Sequence, residues 1–154
     1  VKNGHDITVV SISYMTLEAL RAATFLDTLG VSVEVIDVRS VRPLDLPLIF
    51  SSVSKTGRLL VADTAHLEFG VSAEVIASVT ETIFDSLIVK PCRLGCPAHP
   101  APTSPSLAKY YYPRASEIIS AIWVMLDKPK HELPSIPAEH GNFDQPDPSF
   151  TGPF

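Results

Sequence analysis

The chain has 154 residues, of which 45% are hydrophobic and 19% charged, and its mean hydropathy is +0.22. This apolar content supports a folded core and excludes a wholly disordered chain. The 12 Lys and Arg residues against 17 Asp and Glu residues give a net charge of −5, so the chain lacks the cationic footprint expected of proteins that bind nucleic acids or acidic membranes.

Proline divides the chain into three parts. Residues 1–90 contain two of the fourteen prolines, residues 91–113 contain six, and residues 129–154 contain the other six. The first part can therefore be regular structure, whereas the second is predicted to be mostly irregular. We predict one domain over residues 1–127, followed by a Pro-rich tail over residues 128–154.

Strands and helices alternate along the predicted domain. In chain order they are strand Ile7–Ile12, helix Leu17–Leu29 with Thr16 as its N-cap, strand Val31–Val38, helix Asp45–Ser54, strand Arg58–Ala62, helix Val71–Phe84, strand Ile88–Leu94 and helix Ser116–Leu126. Strands that are apolar on both faces and separated by helices indicate a parallel sheet that is covered on both sides. The predicted fold class is therefore α/β, a three-layer α/β/α sandwich with a mostly parallel sheet of four to five strands, whose order the periodicity leaves open.

Candidate chemistry lies at the carboxyl ends of the strands, where open parallel sheets bind ligands. Asp63, His66 and Glu68 follow the third strand and could form an acid–base cluster, because histidine titrates near neutrality and a carboxylate can orient it. The other interpretation is that Asp63 caps the strand end while His66 and Glu68 lie on a solvated or interface loop. We favour this second interpretation, since no nucleophile accompanies the three side chains.

The two cysteines offer a second candidate site. Cys92, Cys96 and His99 form a C-x3-C-x2-H pattern that could supply three zinc ligands, but a closed structural site needs a fourth. Two cysteines are too few for a disulfide scaffold and favour a reducing compartment. We therefore interpret them as structural thiols and predict no metal site.

The common nucleotide and hydrolase motifs are absent from the sequence. It contains no G-x-G-x-x-G turn, no phosphate-binding G-x-x-x-x-G-K-[ST] loop and no G-x-S-x-G elbow. We predict no catalytic and no cofactor-binding residue. An alternative function stays open, namely a free-standing flavodoxin-like domain that binds a small ligand or nucleotide at the strand carboxyl ends.

Three blocks of sequence together resemble one family. The first joins Asp6-Ile-Thr-Val-Val-Ser to Leu17-Glu-Ala-Leu-Arg-Ala-Ala, the second runs from Val33-Glu-Val-Ile-Asp-Val-Arg-Ser-Val-Arg-Pro-Leu-Asp45 to Asp63, and the third is Phe69-Gly-Val-Ser-Ala-Glu-Val75. Over about residues 4–127 the chain resembles the C-terminal domain of transketolase-like enzymes. It is most similar to that of the beta subunit of thiamine-diphosphate-dependent 2-oxo acid dehydrogenases, the component that decarboxylates pyruvate or branched-chain substrates.

The resemblance implies a sheet of four parallel strands and one antiparallel edge strand, which comes first in the family. Only Val1–Gly4 would remain of that strand, and the chain begins without Met. We therefore expect the chain to be a piece of a longer subunit. The resemblance places it in the cytoplasm, or in the mitochondrial matrix if the source is eukaryotic.

The resemblance also implies a role in assembly rather than in catalysis. Thiamine diphosphate and Mg²⁺ are held by other domains of the family, and the family's Gly-Asp-Gly diphosphate motif does not occur here. The implied partners are the rest of the same subunit, an alpha-type subunit, a second copy of this domain and the lipoyl acyltransferase core. The parent enzyme would oxidatively decarboxylate a 2-oxo acid and acylate lipoamide, while this piece alone would be inactive.

Candidate interface residues lie in the loop after the third strand and in the tail. In the loop they are His66, Glu68 and Phe69, where the family usually has a double glycine just before the helix. The tail carries aromatic residues among its prolines, which are Phe143, Phe150 and Phe154. It is either a disordered terminus or an extended arm whose aromatics dock on a neighbouring subunit, and we favour the arm.

Overall fold

The architecture was determined from a computed structural model, which describes residues 1–108 and 110–136. The strands are β1 (Ile7–Ile12), β2 (Val33–Val38), β3 (Leu59–His66) and β4 (Cys92–Cys96). The helices are α1 (Met15–Asp27), α2 (Leu46–Thr56), α3 (Val71–Ile83), α4 (Pro105–Ala108) and α5 (Ala115–Met125). Two 3₁₀ turns, Phe84–Ser86 and Lys130–Glu132, complete the described structure.

The four strands form one parallel sheet in the order β2-β1-β3-β4. Val9 of β1 stands in register with Val35 of β2 on one side and Leu60 of β3 on the other. Lys2 forms an antiparallel bridge to Val35 at the outer edge of β2. The predicted α/β fold is confirmed, with four parallel strands and a reduced antiparallel edge.

Both faces of the sheet are covered by helices, and each face has its own apolar core. The core under α1 and α5 comprises the side chains of Ile7, Val9, Val33, Leu60, Ile118, Ile122 and their neighbours. The core under α2 and α3 is smaller and comprises Val10, Ile36, Ile49, Val53, Leu59, Val61, Val75 and Val79. Because successive strand residues point to opposite faces, β1, β2 and β3 each contribute to both cores, whereas β4 contributes only to the core under α1 and α5.

The ends of α2 follow from local sequence, whereas the start of α1 does not. The side chain of Asp45 accepts a hydrogen bond from the Leu48 amide at 3.2 Å, and Gly57 ends α2 with a φ of 68° that favours glycine. Thr16 was predicted to cap α1, but it lies inside that helix. Its hydroxyl donates instead to Asp37 on β2, at 3.0 Å, so it links two elements rather than starting one.

The fourth strand begins later than predicted. Ile88 and Val89 are apolar and β-branched, but the strand starts at Cys92. The Ile88 amide donates to the Gly57 carbonyl at 2.9 Å, which ties this segment to the end of α2 instead of to β3. A tertiary hydrogen bond thus overrides a local strand preference.

The chain after α5 folds back onto the domain. The indole Nε1 of Trp123 donates to the Pro129 carbonyl at 2.9 Å, and the Lys128 ammonium lies 4.9 Å from the indole centroid. Leu133 and Ile136 pack against the α1/α5 core. These contacts hold residues 128–136 against the domain, and the predicted division of the chain at residue 127 stays a prediction.

Candidate functional site

The strand order reverses between β1 and β3, because the chain leaves β1 toward β2 and leaves β3 toward β4. In open α/β sheets ligands bind at the carboxyl ends of the strands beside such a reversal. The loops that meet there are the β1–α1 turn at Ser13 and Tyr14 and the β3–α3 loop at residues 67–70. The candidate site is therefore formed by the side chains at this carboxyl edge.

Asp63 lies inside β3 and is only 4% exposed. Its Oδ1 accepts a hydrogen bond from the Ala65 amide at 3.1 Å, within the strand and not past its end, because β3 runs on to His66. Its Oδ2 is buried without a hydrogen-bond partner in the described part of the chain. Burial and the negative charge of Asp63 both raise the pKa of the Cys96 thiol, which keeps that thiol protonated near neutral pH.

His66 and Glu68 do not join Asp63 in an acid–base cluster. His66 is exposed, and its Nδ1 lies 2.7 Å from the Pro97 carbonyl oxygen, which accepts a hydrogen bond from the ring. Glu68 is exposed as well. The structure therefore buries one carboxylate and leaves the other two groups exposed, His66 at the end of β3 and Glu68 in the loop that follows.

Phe69 is the most exposed large apolar residue in the described structure, at 101% of its reference area. Its backbone has a φ of 57°, which is uncommon for a residue with a side chain and carries strain. Water therefore surrounds a phenyl ring that the loop holds outward at an energetic cost. Such strain persists only where the surrounding structure enforces it, and it often marks a functional loop.

The end of β3 bulges against β4. Ala62 pairs with Leu94 and His66 pairs with Cys96, so more residues of β3 than of β4 separate the two pairs. Gly95 lies opposite this bulge, and a Cβ on it would stand 2.8 Å from the Ala65 carbonyl oxygen. Bulges of this kind redirect the end of a strand, and they are common beside functional sites.

The predicted thiol and histidine pattern does not assemble into a ligand group. The Cys96 thiol donates to the Thr64 carbonyl at 3.3 Å, while the His99 ring packs against Tyr111 with centroids 5.2 Å apart. Burial raises the pKa of the Cys92 thiol. Within residues 1–108 and 110–136, no three or more His, Cys, Asp or Glu side chains are grouped so as to hold a metal ion.

A buried polar cluster at the same edge escaped the sequence analysis. Glu18 is 1% exposed, and its carboxylate accepts a hydrogen bond from the Ala115 amide at 2.8 Å and from Arg21 Nη1 at 2.9 Å. Arg114 Nη1 lies 3.8 Å from the same carboxylate and donates to the Tyr14 hydroxyl at 2.8 Å. The cluster ties the start of α1 to the start of α5.

The alanines of α1 are the sequence feature that indicates its buried face, on which Glu18 lies. Apolar residues recur at every third position of the predicted helix, at Leu17, Leu20, Ala23, Leu26 and Leu29. The face that is buried instead consists of Met15, Glu18, Ala19, Ala22, Ala23 and Leu26. A helix with alanines at three positions of one face packs closely against its neighbours, and an acidic residue on that face needs a buried partner.

Exposed apolar side chains are frequent at the carboxyl edge. In the described part of the chain, Phe69 shares this edge with four others from the loops and helix starts, which are Val41 (55%), Leu48 (50%), Leu107 (56%) and Tyr110 (76%). Phe84 and Ile88 lie at the opposite end, after α3. The three candidate tail residues Phe143, Phe150 and Phe154 lie outside the described residues.

No helix in the described part of the chain has both the length and the apolar content that crossing a bilayer requires. The described helices have at most 13 residues each, and every one of them packs on the sheet or in its connecting loops.

Comparison with known proteins gives matches over most of the chain. Residues 1–118 match the family described as the transketolase C-terminal domain. The beta subunit of acetoin:2,6-dichlorophenolindophenol oxidoreductase from Cupriavidus necator is 34% identical over 132 residues, which cover 85% of the chain and 39% of that protein. The mitochondrial beta subunit of the pyruvate dehydrogenase E1 component from Pisum sativum is 38% identical over 120 residues, which cover 78% of the chain and 33% of that protein.

A solved structure is similar as well. It is described as a split gene transketolase in an inactive beta4 tetramer, and it superimposes with a TM-score of 0.71 at 26% identity, covering 82% of this chain and 41% of that one. The chain spans about two fifths or less of each of these three proteins. The resemblance found in the sequence is therefore confirmed at the level of fold and family.

Proposed function

The chain belongs to the family of transketolase C-terminal domains, and from this premise we propose that it is an assembly domain that joins subunits and carries no catalytic group of its own. The observation that supports this role best is Phe69, an apolar ring held fully in water on a strained loop. Burying such a ring against a partner contributes about 1.5–3 kcal/mol. Large exposed apolar groups clustered at one edge mark protein contacts.

The surface that we propose for contact is the carboxyl edge, with His66, Glu68 and Phe69 at its centre. His66 and Glu68 are exposed and flank the ring, so they would form the polar rim that surrounds an apolar anchor in many interfaces. A second copy of this domain is the first partner that we propose, because a self-complementary patch gives a twofold dimer. An alpha-type subunit and the lipoyl acyltransferase core are further proposed partners of the parent enzyme.

The residues present do not fit thiamine diphosphate or its Mg²⁺. Octahedral Mg²⁺ needs several oxygen ligands, and no group of three or more metal-ligating side chains occurs among the described residues. The sequence contains no glycine-rich phosphate loop. We therefore assign the cofactor to other parts of a parent subunit, which we propose decarboxylates a 2-oxo acid oxidatively and transfers the acyl group to lipoamide.

Sedimentation velocity of the chain at several concentrations tests the contact surface. The wild-type chain is expected to form dimers. Phe69→Ala is expected to weaken the dimer roughly 100-fold or more, because the twofold interface loses two buried rings at about 1.5–3 kcal/mol each. Phe84→Ala is the matched control, since Phe84 is 64% exposed at the other end of the sheet.

Three results would contradict the proposal. The wild-type chain could sediment as a monomer at every concentration, Phe84→Ala could weaken the dimer as much as Phe69→Ala does, or the chain could decarboxylate a 2-oxo acid by itself. Calorimetry with flavins, nucleotides and thiamine diphosphate tests the flavodoxin-like alternative, which a sub-micromolar ligand would favour.

A further inference from the structure

Two loops at the carboxyl edge carry opposite charges. Residues 39–45, the β2–α2 loop, hold the exposed side chains of Arg39 and Arg42, while residues 67–70, the β3–α3 loop, hold the exposed Glu68. Arg39 pairs with Asp37 of its own strand end, and Asp45 caps α2. Arg42 and Glu68 have no ion pair within the residues that the structure describes. Both of these charges are therefore available to a partner.

Each of the two loops also presents an exposed apolar side chain beside its charge. Val41, which is 55% exposed, precedes Arg42, and Phe69, which is 101% exposed, follows Glu68. An apolar contact with charged groups at its rim is the usual composition of a protein interface. The β2–α2 loop thus complements the β3–α3 loop in charge and can cover its apolar ring.

The strands that carry these loops end at different heights. They lie about 10 Å apart, because β1 stands between them and neighbouring strands are about 4.8 Å apart. Asp37 of β2 and Ala62 of β3 are both in register with Ser11 of β1. From that level β2 runs one residue further, to Val38, whereas β3 runs four residues further, to His66. The end of β3 therefore projects beyond the end of β2.

A twofold axis near the end of β1 can place a second copy of the chain against this edge in two ways. If the axis lies in the plane of the sheet, across the strands, each loop meets the same loop of the other copy. Arg42 then faces Arg42, and the two projecting ends of β3 collide first. If the axis is perpendicular to the sheet, the β2–α2 loop of one copy meets the β3–α3 loop of the other. Only this second arrangement joins opposite charges and places a projecting strand end against a recessed one.

We propose that two copies of the chain associate in this second arrangement. Phe69 of one copy packs on Val41 of the other, and Glu68 pairs with Arg42, so that each contact occurs twice. This inference rests on the assembly role proposed above and names the surface that receives Phe69. The charges determine the orientation more than the affinity, because exposed ion pairs are weak whereas facing like charges repel.

Reversing one charge at a time tests the pairing in sedimentation velocity. Arg42→Glu and Glu68→Arg are each expected to weaken the dimer roughly 10-fold or more, because two pairs of like charges then face each other. An equimolar mixture of these two variants is expected to associate about as tightly as the wild-type chain. In the mixed dimer a glutamate faces an arginine in both contacts, and a rearrangement within one chain cannot produce this recovery.

Lys90→Glu is the matched control. It reverses an exposed positive charge before β4, at the opposite end of the sheet, and changes the net charge as Arg42→Glu does. The Lys90→Glu chain is expected to dimerise like the wild type. Mixing it with Glu68→Arg is expected to give no recovery of association. Circular dichroism checks that every variant is folded.

The outcomes separate this pairing from the assembly role. If Phe69→Ala weakens the dimer but the mixture of Arg42→Glu and Glu68→Arg does not recover association, the pairing is overturned and the assembly role stands. The pairing is also overturned if the Arg42→Glu chain associates with the wild-type chain more tightly than either does with itself, which the in-plane axis predicts. A wild-type chain that is monomeric at every concentration overturns both proposals.

Discussion

Two carboxylates lie buried near the carboxyl edge of the sheet, and they differ in how completely they are paired. Glu18 meets two arginines and the Ala115 amide, so both of its oxygens have partners. Asp63 meets only the Ala65 amide and has no ion pair within the described residues. The difference shows that burial of an acid does not reveal its role, because one acid joins two helices and the other accepts a single backbone hydrogen bond within its own strand.

The pairing also shows which part of the edge is rigid. Glu18 joins the starts of α1 and α5 through a contact between residues 97 positions apart. The loop that follows Asp63 instead presents an exposed ring on a strained backbone. We expect mutations around Glu18 to lower the stability of the folded chain. We expect mutations in the β3–α3 loop to weaken contacts with a partner instead.

The largest loss of stability is expected for Glu18→Ala. This change removes the acceptor of the Ala115 amide and the anion beside Arg114, and breaking a buried ion pair costs about 3–5 kcal/mol. Urea unfolding measures the loss. Asp27→Ala is the control, since Asp27 is 48% exposed in its pair with Lys2 and exposed pairs contribute about 0–1 kcal/mol. Equal losses for the two variants would show that the buried arrangement is not what stabilises the chain.

A smaller effect is expected for Thr8→Val, which tests a neutral polar cluster. The Thr8 hydroxyl lies 2.7 Å from the Ser52 hydroxyl and 2.8 Å from the Thr56 hydroxyl, and all three residues are buried between β1 and α2. Removing one hydroxyl leaves the others short of partners at a cost of about 1–3 kcal/mol. The exposed Thr24→Val, in the same unfolding experiment, should change stability by at most about 0.5 kcal/mol.

The pH dependence of stability tests the contribution of a third carboxylate, that of Glu34. Burial acts to raise its pKa, but hydrogen bonds from Lys55, Ser52 and the Gly4 amide outweigh burial, so the pKa lies below its usual value of 4.5. The stability that this depressed pKa provides is present above about pH 4.5 and is lost as the pH falls through the folded-state pKa.

Urea midpoints measured from pH 6 to pH 3 check this prediction. Glu34→Gln is expected to lose less stability over that range than the wild-type chain does. The exposed Glu81→Gln serves as the control and should follow the wild-type curve. Parallel curves for the wild-type and Glu34→Gln chains would refute the proposed contribution of Glu34.

The smallest effect is expected for Asp63→Asn. The asparagine side chain keeps an oxygen that can accept the hydrogen bond from the Ala65 backbone. The substitution also removes a buried charge that has no ion pair in the described residues. The free energy of unfolding should therefore stay within about 1 kcal/mol of the wild-type value or rise. The same urea experiment measures it, alongside Glu18→Gln, which should destabilise the chain. A loss above about 2 kcal/mol for Asp63→Asn would remove the distinction between the two carboxylates.

The order and type of the main elements could be predicted because they depend on local patterns. The run Ile7–Ile12 is a strand at the positions predicted, and Asp45, Pro47 and Gly57 mark the ends of α2 as expected. The start of β4 was wrong, because the amide of Ile88 bonds to Gly57 rather than to a neighbouring strand. The cap of α1 was wrong as well, since Thr16 binds Asp37 on another element.

The candidate site was predicted only in part. His66 and Glu68 are exposed, but His66 is the last residue of β3 and not a loop residue, and Asp63 lies inside that strand instead of capping its end. The interface role of His66, Glu68 and Phe69 stays a proposal. Glu18 was missed because the larger leucines, rather than the alanines, were taken as the buried face of α1.

By itself the sequence determined the alternation of strands and helices, the covered parallel sheet and the family, because hydrophobic periodicity and short motifs are written in neighbouring residues. Only the tertiary structure decided the strand order, the pairing of Glu18 and the burial of Asp63. Partners such as Glu18 and Ala115 are brought together by the packing of α1 on α5, and no pattern within a single segment encodes a distance between two segments.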